Sequence, residues 1–149
     1  MPRAETTRPA LPFSRAFTAA VQSAVTAILS IGGYVIFFSA MLSVTEKLGF
    51  PGRAAERIAA FTGADAAVLR ALLTGALELS SGIGAMAGLP LSPASLALGS
   101  FLLGWGGLCV HFQAAAVADG LDMKGRRRGK LLHGVLSAAI TCAAARFIF

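Results

Sequence analysis

The chain has 149 residues, 56% hydrophobic and 13% charged, which excludes an ordinary soluble domain and points to an integral membrane protein. Its formal charge is +6, but five of its thirteen basic residues fall between Lys124 and Lys130 beside an apolar segment. That placement marks membrane topology and excludes a nucleic-acid surface, while Cys109 and Cys142 lie in apolar runs without a metal-ligand pattern and read as small core residues.

Residues 1–12 form a polar, proline-bearing tail, and the apolar run after it lacks a short apolar segment with a cleavage site, so a removable signal peptide is not expected. From Phe13 to Ile28 the apolar positions Phe13, Phe17, Ala20, Val21, Ala24, Val25 and Ile28 recur at spacings of three and four. This predicts an amphipathic helix along the membrane interface. The uncharged run from Ala16 to Thr45 is too long for one untilted span, so a bend is expected at Gly32-Gly33, with the first true span running from Ser30 to Thr45. Gly49-Phe50-Pro51-Gly52 reads as a turn, and residues 53–61 as a short surface helix. Asp65 is placed to cap the next helix, which carries Val68, Leu69, Leu72 and Leu73 down to Glu78.

Residues 71–118 are the apolar centre of the chain, interrupted by only two ionisable side chains besides a thiol and hydroxyls, Glu78 and His111. A single helix of that length would be more than twice the roughly 30 Å of a bilayer's hydrocarbon core, so the segment must fold back, and Leu89-Pro90-Leu91-Ser92-Pro93 is where it turns. Two glycine-rich interruptions are predicted besides, at Ser80-Ser81-Gly82-Ile83-Gly84 just after Glu78, and at Gly104-Trp105-Gly106-Gly107 just before His111 and Gln113. Breaking an apolar helix frees backbone N–H and C=O groups that serve as ligands in a sealed cavity. A carboxylate at mid-bilayer costs about 2.5–3.5 kcal/mol on insertion scales, so Glu78 is read either as functional or as an interfacial residue paired with Arg70. His111 either donates to a substrate, holds Glu78 by a hydrogen bond, or packs against a helix with a backbone carbonyl as its partner. Gln113 falls on another helical face, and Trp105 either plugs the site or packs against the opposite helix. Beyond the second break the span reaches Ala118, residues 119–130 form a basic cytoplasmic loop, and a last span runs from Leu131 to Phe149 with Arg146 snorkelling. No nucleophile with a base in reach, His-Glu-x-x-His pattern or phosphate-binding loop is present, so enzymatic chemistry is not expected.

Ile31-Gly32-Gly33-Tyr34-Val35-Ile36-Phe37-Phe38-Ser39, then Leu77-Glu78-Leu79-Ser80-Ser81-Gly82, then Gly104-Trp105-Gly106-Gly107-Leu108-Cys109-Val110-His111-Phe112-Gln113, resembles the nucleoside-recognition or Gate-domain membrane proteins. The resemblance is closest to the YlbJ-type sporulation integral membrane proteins and covers residues 13 to 145. It implies an all-α integral membrane fold over residues 13–149, a Gate-type repeat with an interfacial helix, a re-entrant hairpin over residues 66–91, an interrupted transmembrane helix and flanking spans. By the same resemblance Glu78, Ser80, Ser81, Ser100, Gly104, Gly106, Gly107, His111 and Gln113 gather around a small polar solute or a coupling cation, with no resident cofactor. Related transporters carry two such repeats in opposite orientation and this chain carries one, which implies an inverted homodimer, a second Gate-type subunit or a fragment of a longer chain.

Two topologies follow for residues 66–88. Counting basic residues slightly favours a full crossing, whereas Glu78, the glycines at 82, 84 and 88 and the resemblance favour the hairpin. The functional expectation is a multi-pass inner-membrane protein that binds or moves a small polar solute, in sporulation if the resemblance extends that far. The rival expectation is a structural membrane protein for spore envelope assembly that does not transport.

Overall fold

The computed structural model describes residues 12–117 and 122–147, so the expectations for the tail at 1–11, the loop at 118–121 and the final residues 148–149 lie outside it. The described residues are all helical: α1 (Phe13–Lys47), α2 (Phe50–Thr62), α3 (Ala66–Leu77), α4 (Leu79–Met86), α5 (Pro93–Trp105), α6 (Gly107–Val117) and α7 (Met123–Ala145). Two helical stretches are long and apolar enough to cross a membrane, Phe13–Lys47 and the interrupted Pro93–Val117, which supports a membrane protein. α7 does not meet that test, because its first two turns carry the basic cluster.

α1 corrects the first expectation. It is one continuous helix of 35 residues, about 52 Å long at 1.5 Å per residue, and Gly32-Gly33 does not interrupt it. Glycine inside a helix is entropically unfavourable but keeps its N–H and C=O, so the hydrogen-bond ladder continues through Gly32 and Gly33. Nothing approaches within 4 Å of where their Cβ atoms would be, so no packing partner forces a kink. α2 also begins earlier than expected. Gly49 takes up a left-handed φ of 70° as its N-cap, and Pro51 lies in the first turn, where a missing N–H leaves no bond unmade.

Asp65 caps α3 as predicted, its Oδ1 accepting the Ala67 N–H at 2.7 Å. The basic residues 124–130 are helical rather than a loop. Asp122 accepts the Lys124 N–H at 2.9 Å, and Lys and Arg are good helix formers, so α7 starts ahead of its apolar part.

α3 and α4 fold back on each other. Residues seven apart in an unbroken helix are separated by about 10.5 Å along the axis. Here a Cβ on Gly82 would collide with Gly75 Cα, lie 2.7 Å from Gly75 N and reach 3.4 Å from the Ala71 carbonyl oxygen. At about 18 Å and 12 Å, neither arm is long enough to cross a bilayer, so residues 66–86 are a helical hairpin and not one crossing helix. Pro90 and Pro93 then redirect the chain, and Ser92 and Ser95 form a reciprocal capping box that starts α5.

α5 lies across this hairpin. Leu102, fully buried, presses its methyls onto Gly75, where a Cβ would lie 2.6 Å away, and it joins Ala71 and Leu98 as the core. On its other side α5 packs against α7 through Gly104 and Gly134, so close that a Cβ on Gly104 would lie 2.6 Å from Gly134 Cα. Small residues of this kind let membrane helices approach backbone to backbone.

Candidate functional site

The first helix break falls at Glu78 itself, two residues earlier than the predicted serine–glycine run, and Ser80 to Gly84 are helical. Glu78 takes an extended conformation, φ −139° and ψ 117°, which ends α3 and begins α4 in a single residue. Its side chain explains why the chain breaks there. Oε1 accepts the Ser80 N–H at 2.8 Å and Oε2 accepts the Ser81 N–H at 2.7 Å, so the carboxylate satisfies the opening amides of α4. The residue is 2% exposed, and no ion pair reaches it among the described residues. Arg70, the alternative partner, instead bonds Glu46 of α1 at 3.1 Å.

The second break lies where the glycines predict it. Gly106 and Gly107 both have left-handed φ angles, 85° and 76°, which only glycine adopts at little cost. The two breaks touch. A Cβ on Gly107 would stand 3.1 Å from Leu79 N, 3.1 Å from the Gly75 carbonyl oxygen and 3.3 Å from that of Leu77, so the interruption of α5–α6 is seated on the tip of the hairpin. Trp105 pins them together, its indole N–H donating to the Ala76 carbonyl at 3.1 Å near the end of α3. It therefore acts in packing between the two broken elements.

His111 is 4% exposed and packs against Trp105 with ring centroids 4.4 Å apart and the planes tilted by 56°. Neither of its nitrogens has a hydrogen-bond partner among the described residues, so neither the bond to Glu78 nor a backbone carbonyl partner forms. Gln113 donates to Cys109 Sγ one turn back on its own helix, at 3.2 Å.

The predicted site residues thus divide. Glu78, Ser81, Gly106 and Gly107 are brought together at the two breaks, and His111 stands behind Trp105. Ser80 contributes its backbone N–H, and the residue is exposed. Gly104 is a contact between α5 and α7, and Ser100 is drawn to the same interface, its hydroxyl 2.7 Å from that of Thr141. The family resemblance placed both at the site; their contacts in the structure are with α7.

Sequence reasoning missed Thr74. It is 3% exposed, its hydroxyl has no partner among the described residues, and it lies one turn before Glu78 on α3. The signal available was its spacing of four from both Arg70 and Glu78. Among the described residues no three His, Cys, Asp or Glu side chains cluster to hold a metal.

Chemically, the meeting point offers a buried carboxylate, the opening turn of α4 and the irregular, buried backbone of two adjoining breaks. Comparison with protein-family models, with curated proteins and with solved structures returned no match for this chain.

Proposed function

We propose that this chain is a multi-pass inner-membrane protein of the Gate class, closest to the YlbJ-type sporulation proteins. In this reading it works with a second copy in inverted orientation or with a second Gate-type subunit, and binds or passes a small polar solute. The observation that carries the proposal is the contact between the two breaks, Gly107 against Leu77 and Leu79, with Glu78 buried between α3 and α4. Irregular backbone at membrane depth is tolerated where it is buried in protein or lines a water-filled cavity, and paired broken helices are how secondary transporters build their substrate sites. The hairpin, too short to cross, enters and leaves on one side of the bilayer.

In this reading Glu78 holds the hairpin tip open as a helix start and supplies the negative charge that a coupling cation would meet. The test is Glu78→Gln, which keeps the side chain's size and one acceptor for the α4 amides. Reconstituted with sodium or proton gradients and given radiolabelled uridine, adenosine and serine as probes, the variant should fold and lose gradient-driven uptake. Wild-type uptake retained in full by the variant would remove any coupling role for Glu78.

One observation favours the second reading, a structural membrane protein without transport. Both carboxylate oxygens of Glu78 are already engaged by its own helix, as a cap requires. On that reading Glu78→Gln leaves function intact, while enlarging Gly104 or Gly134 abolishes it.

A further inference from the structure

α1 carries Ser39, Ser43 and Glu46 at spacings of four and three, a polar stripe along one face of its C-terminal half. Opposite it stand Arg70 and Thr74 on α3 and Ser81 on α4, and the six side chains line a cleft of about 520 Å³ between α1 and the hairpin. The mouth carries the Glu46–Arg70 ion pair, half exposed, at 3.1 Å.

Deeper in, Thr74 is exceptional. The hydroxyls of Thr18, Thr26, Thr45 and Thr62 each donate to a carbonyl three or four residues back, and that of Thr141 is bonded to Ser100. The Thr74 hydroxyl has no such bond and is wholly shielded within the protein. Thr74 also borders an apolar cavity of about 390 Å³ with Leu73 and Leu77; of the two spaces it lines, the cleft is the one that carries Ser39, Ser43, Glu46, Arg70 and Ser81. A buried hydroxyl without a partner costs about 1–3 kcal/mol, and rotation back onto the preceding turn would remove that cost. Next to it, Ser81 borders the cleft while its N–H holds Glu78, which connects the cleft to the hairpin tip.

We infer that this cleft is the solute-binding site and that its ligand is a small uncharged or zwitterionic molecule rich in hydrogen-bonding groups, anchored on Thr74 beneath the Glu46–Arg70 pair. The charge argument selects the class. Among the described residues the only charged side chains of the lining are Glu46 and Arg70, which neutralise each other, so a solute with net charge would find no counter-charge there once removed from water. This inference rests on the reading of the chain as a solute-binding membrane protein, and it moves the binding groups from the breaks to the cleft beside them.

Single cysteines at Ser43 and Ala40, each with and without Thr74→Val, in a background with Cys109→Ala and Cys142→Ala, test it in the reconstituted full chain. Ser43 and Ala40 are both exposed on α1, and only Ser43 lines the cleft, so Ala40 reports the lipid-facing side. A charged, water-soluble thiosulfonate should label S43C at least about tenfold faster than A40C, because a wet polar cleft and lipid differ that strongly for a charged reagent. Uridine and serine should slow labelling of S43C several-fold, uridine monophosphate should not, and Thr74→Val should remove the protection while leaving the labelling rate without solute unchanged. If S43C labels no faster than A40C, the cleft is dry and the inference fails. It also fails if neither uridine nor serine protects S43C, if the monophosphate protects as well as they do, or if protection survives Thr74→Val. Should Thr74→Val not fold, as judged by size-exclusion elution, Thr74→Ala carries the same comparison. Failure here leaves the Glu78→Gln uptake result standing, and loss of a Glu78 effect leaves the labelling pattern standing, so the two ideas fall separately.

Discussion

Replacing Gly82 by alanine should force the α3–α4 hairpin open. The new Cβ would overlap Gly75 Cα and sit 2.7 Å from Gly75 N, both backbone atoms that no rotamer change can move. Carbon atoms in contact settle at about 3.5–4.0 Å, so the arms must separate by about 1 Å or more, and the contact between the breaks loosens with them. Overpacking of this kind costs about 1–3 kcal/mol, and a backbone clash belongs at the upper end. Gly75→Ala should be milder: its Cβ meets the Leu102 methyls at 2.6 and 2.8 Å, which can swing, and Gly82 Cα at 3.2 Å. Gly84→Ala is the control, with nothing within 4 Å, and the gain in helix propensity should leave it neutral or stabilised by about 0.5–1 kcal/mol. The assay is reversible unfolding in mixed micelles followed by the fluorescence of Trp105, the single tryptophan, which is bonded to α3. If G82A were as stable as G84A, the two arms would not pack through these glycines, and the folded-back hairpin would be wrong.

Gly107→Ala should cost more than Gly106→Ala. Both force a side chain into a left-handed φ, which costs about 1–2 kcal/mol, but only Gly107 has the hairpin's backbone at 3.1 Å, and equal losses in the same unfolding assay would deny that the breaks touch. Cysteines at Ser100 and Thr141, whose hydroxyls lie 2.7 Å apart, should form a disulfide readily on mild oxidation. Adding Gly104→Val, whose Cβ would lie 2.6 Å from Gly134 Cα, should sharply lower that yield by spreading α5 from α7; an unchanged yield counts against the small-residue contact.

Much of this architecture was legible because local chemistry announces itself. Asp65, Pro93 and the paired Gly106-Gly107 declared a helix start, another helix start and a helix break, through a capping carboxylate, a fixed φ and freedom at positive φ. Composition alone pointed to lipid, an apolar run too long to cross once called for the turn at Leu89 to Pro93, and the hairpin before it was favoured by Glu78, the glycines at 82, 84 and 88 and the family resemblance, against the count of basic residues. Glycine misled where its role was not conformational. Gly32 and Gly33 sit inside an unbroken helix, and the predicted break at Ser80 to Gly84 moved to Glu78, because a carboxylate that caps its own following amides ends a helix more decisively than glycines that merely permit an end.

The sequence by itself determined that Glu78 and His111 would be ionisable groups in apolar surroundings, because nothing else of that kind interrupts residues 71–118. It did not determine what each would face. Whether Arg70 meets Glu78 or Glu46, whether Ser100 and Gly104 turn to a site or to α7, and whether Thr74 finds a partner all depend on how one helix is rotated and seated against another. Spacing along a chain sets the face of a helix on which a side chain lies, but only packing between distant segments decides what stands opposite that face.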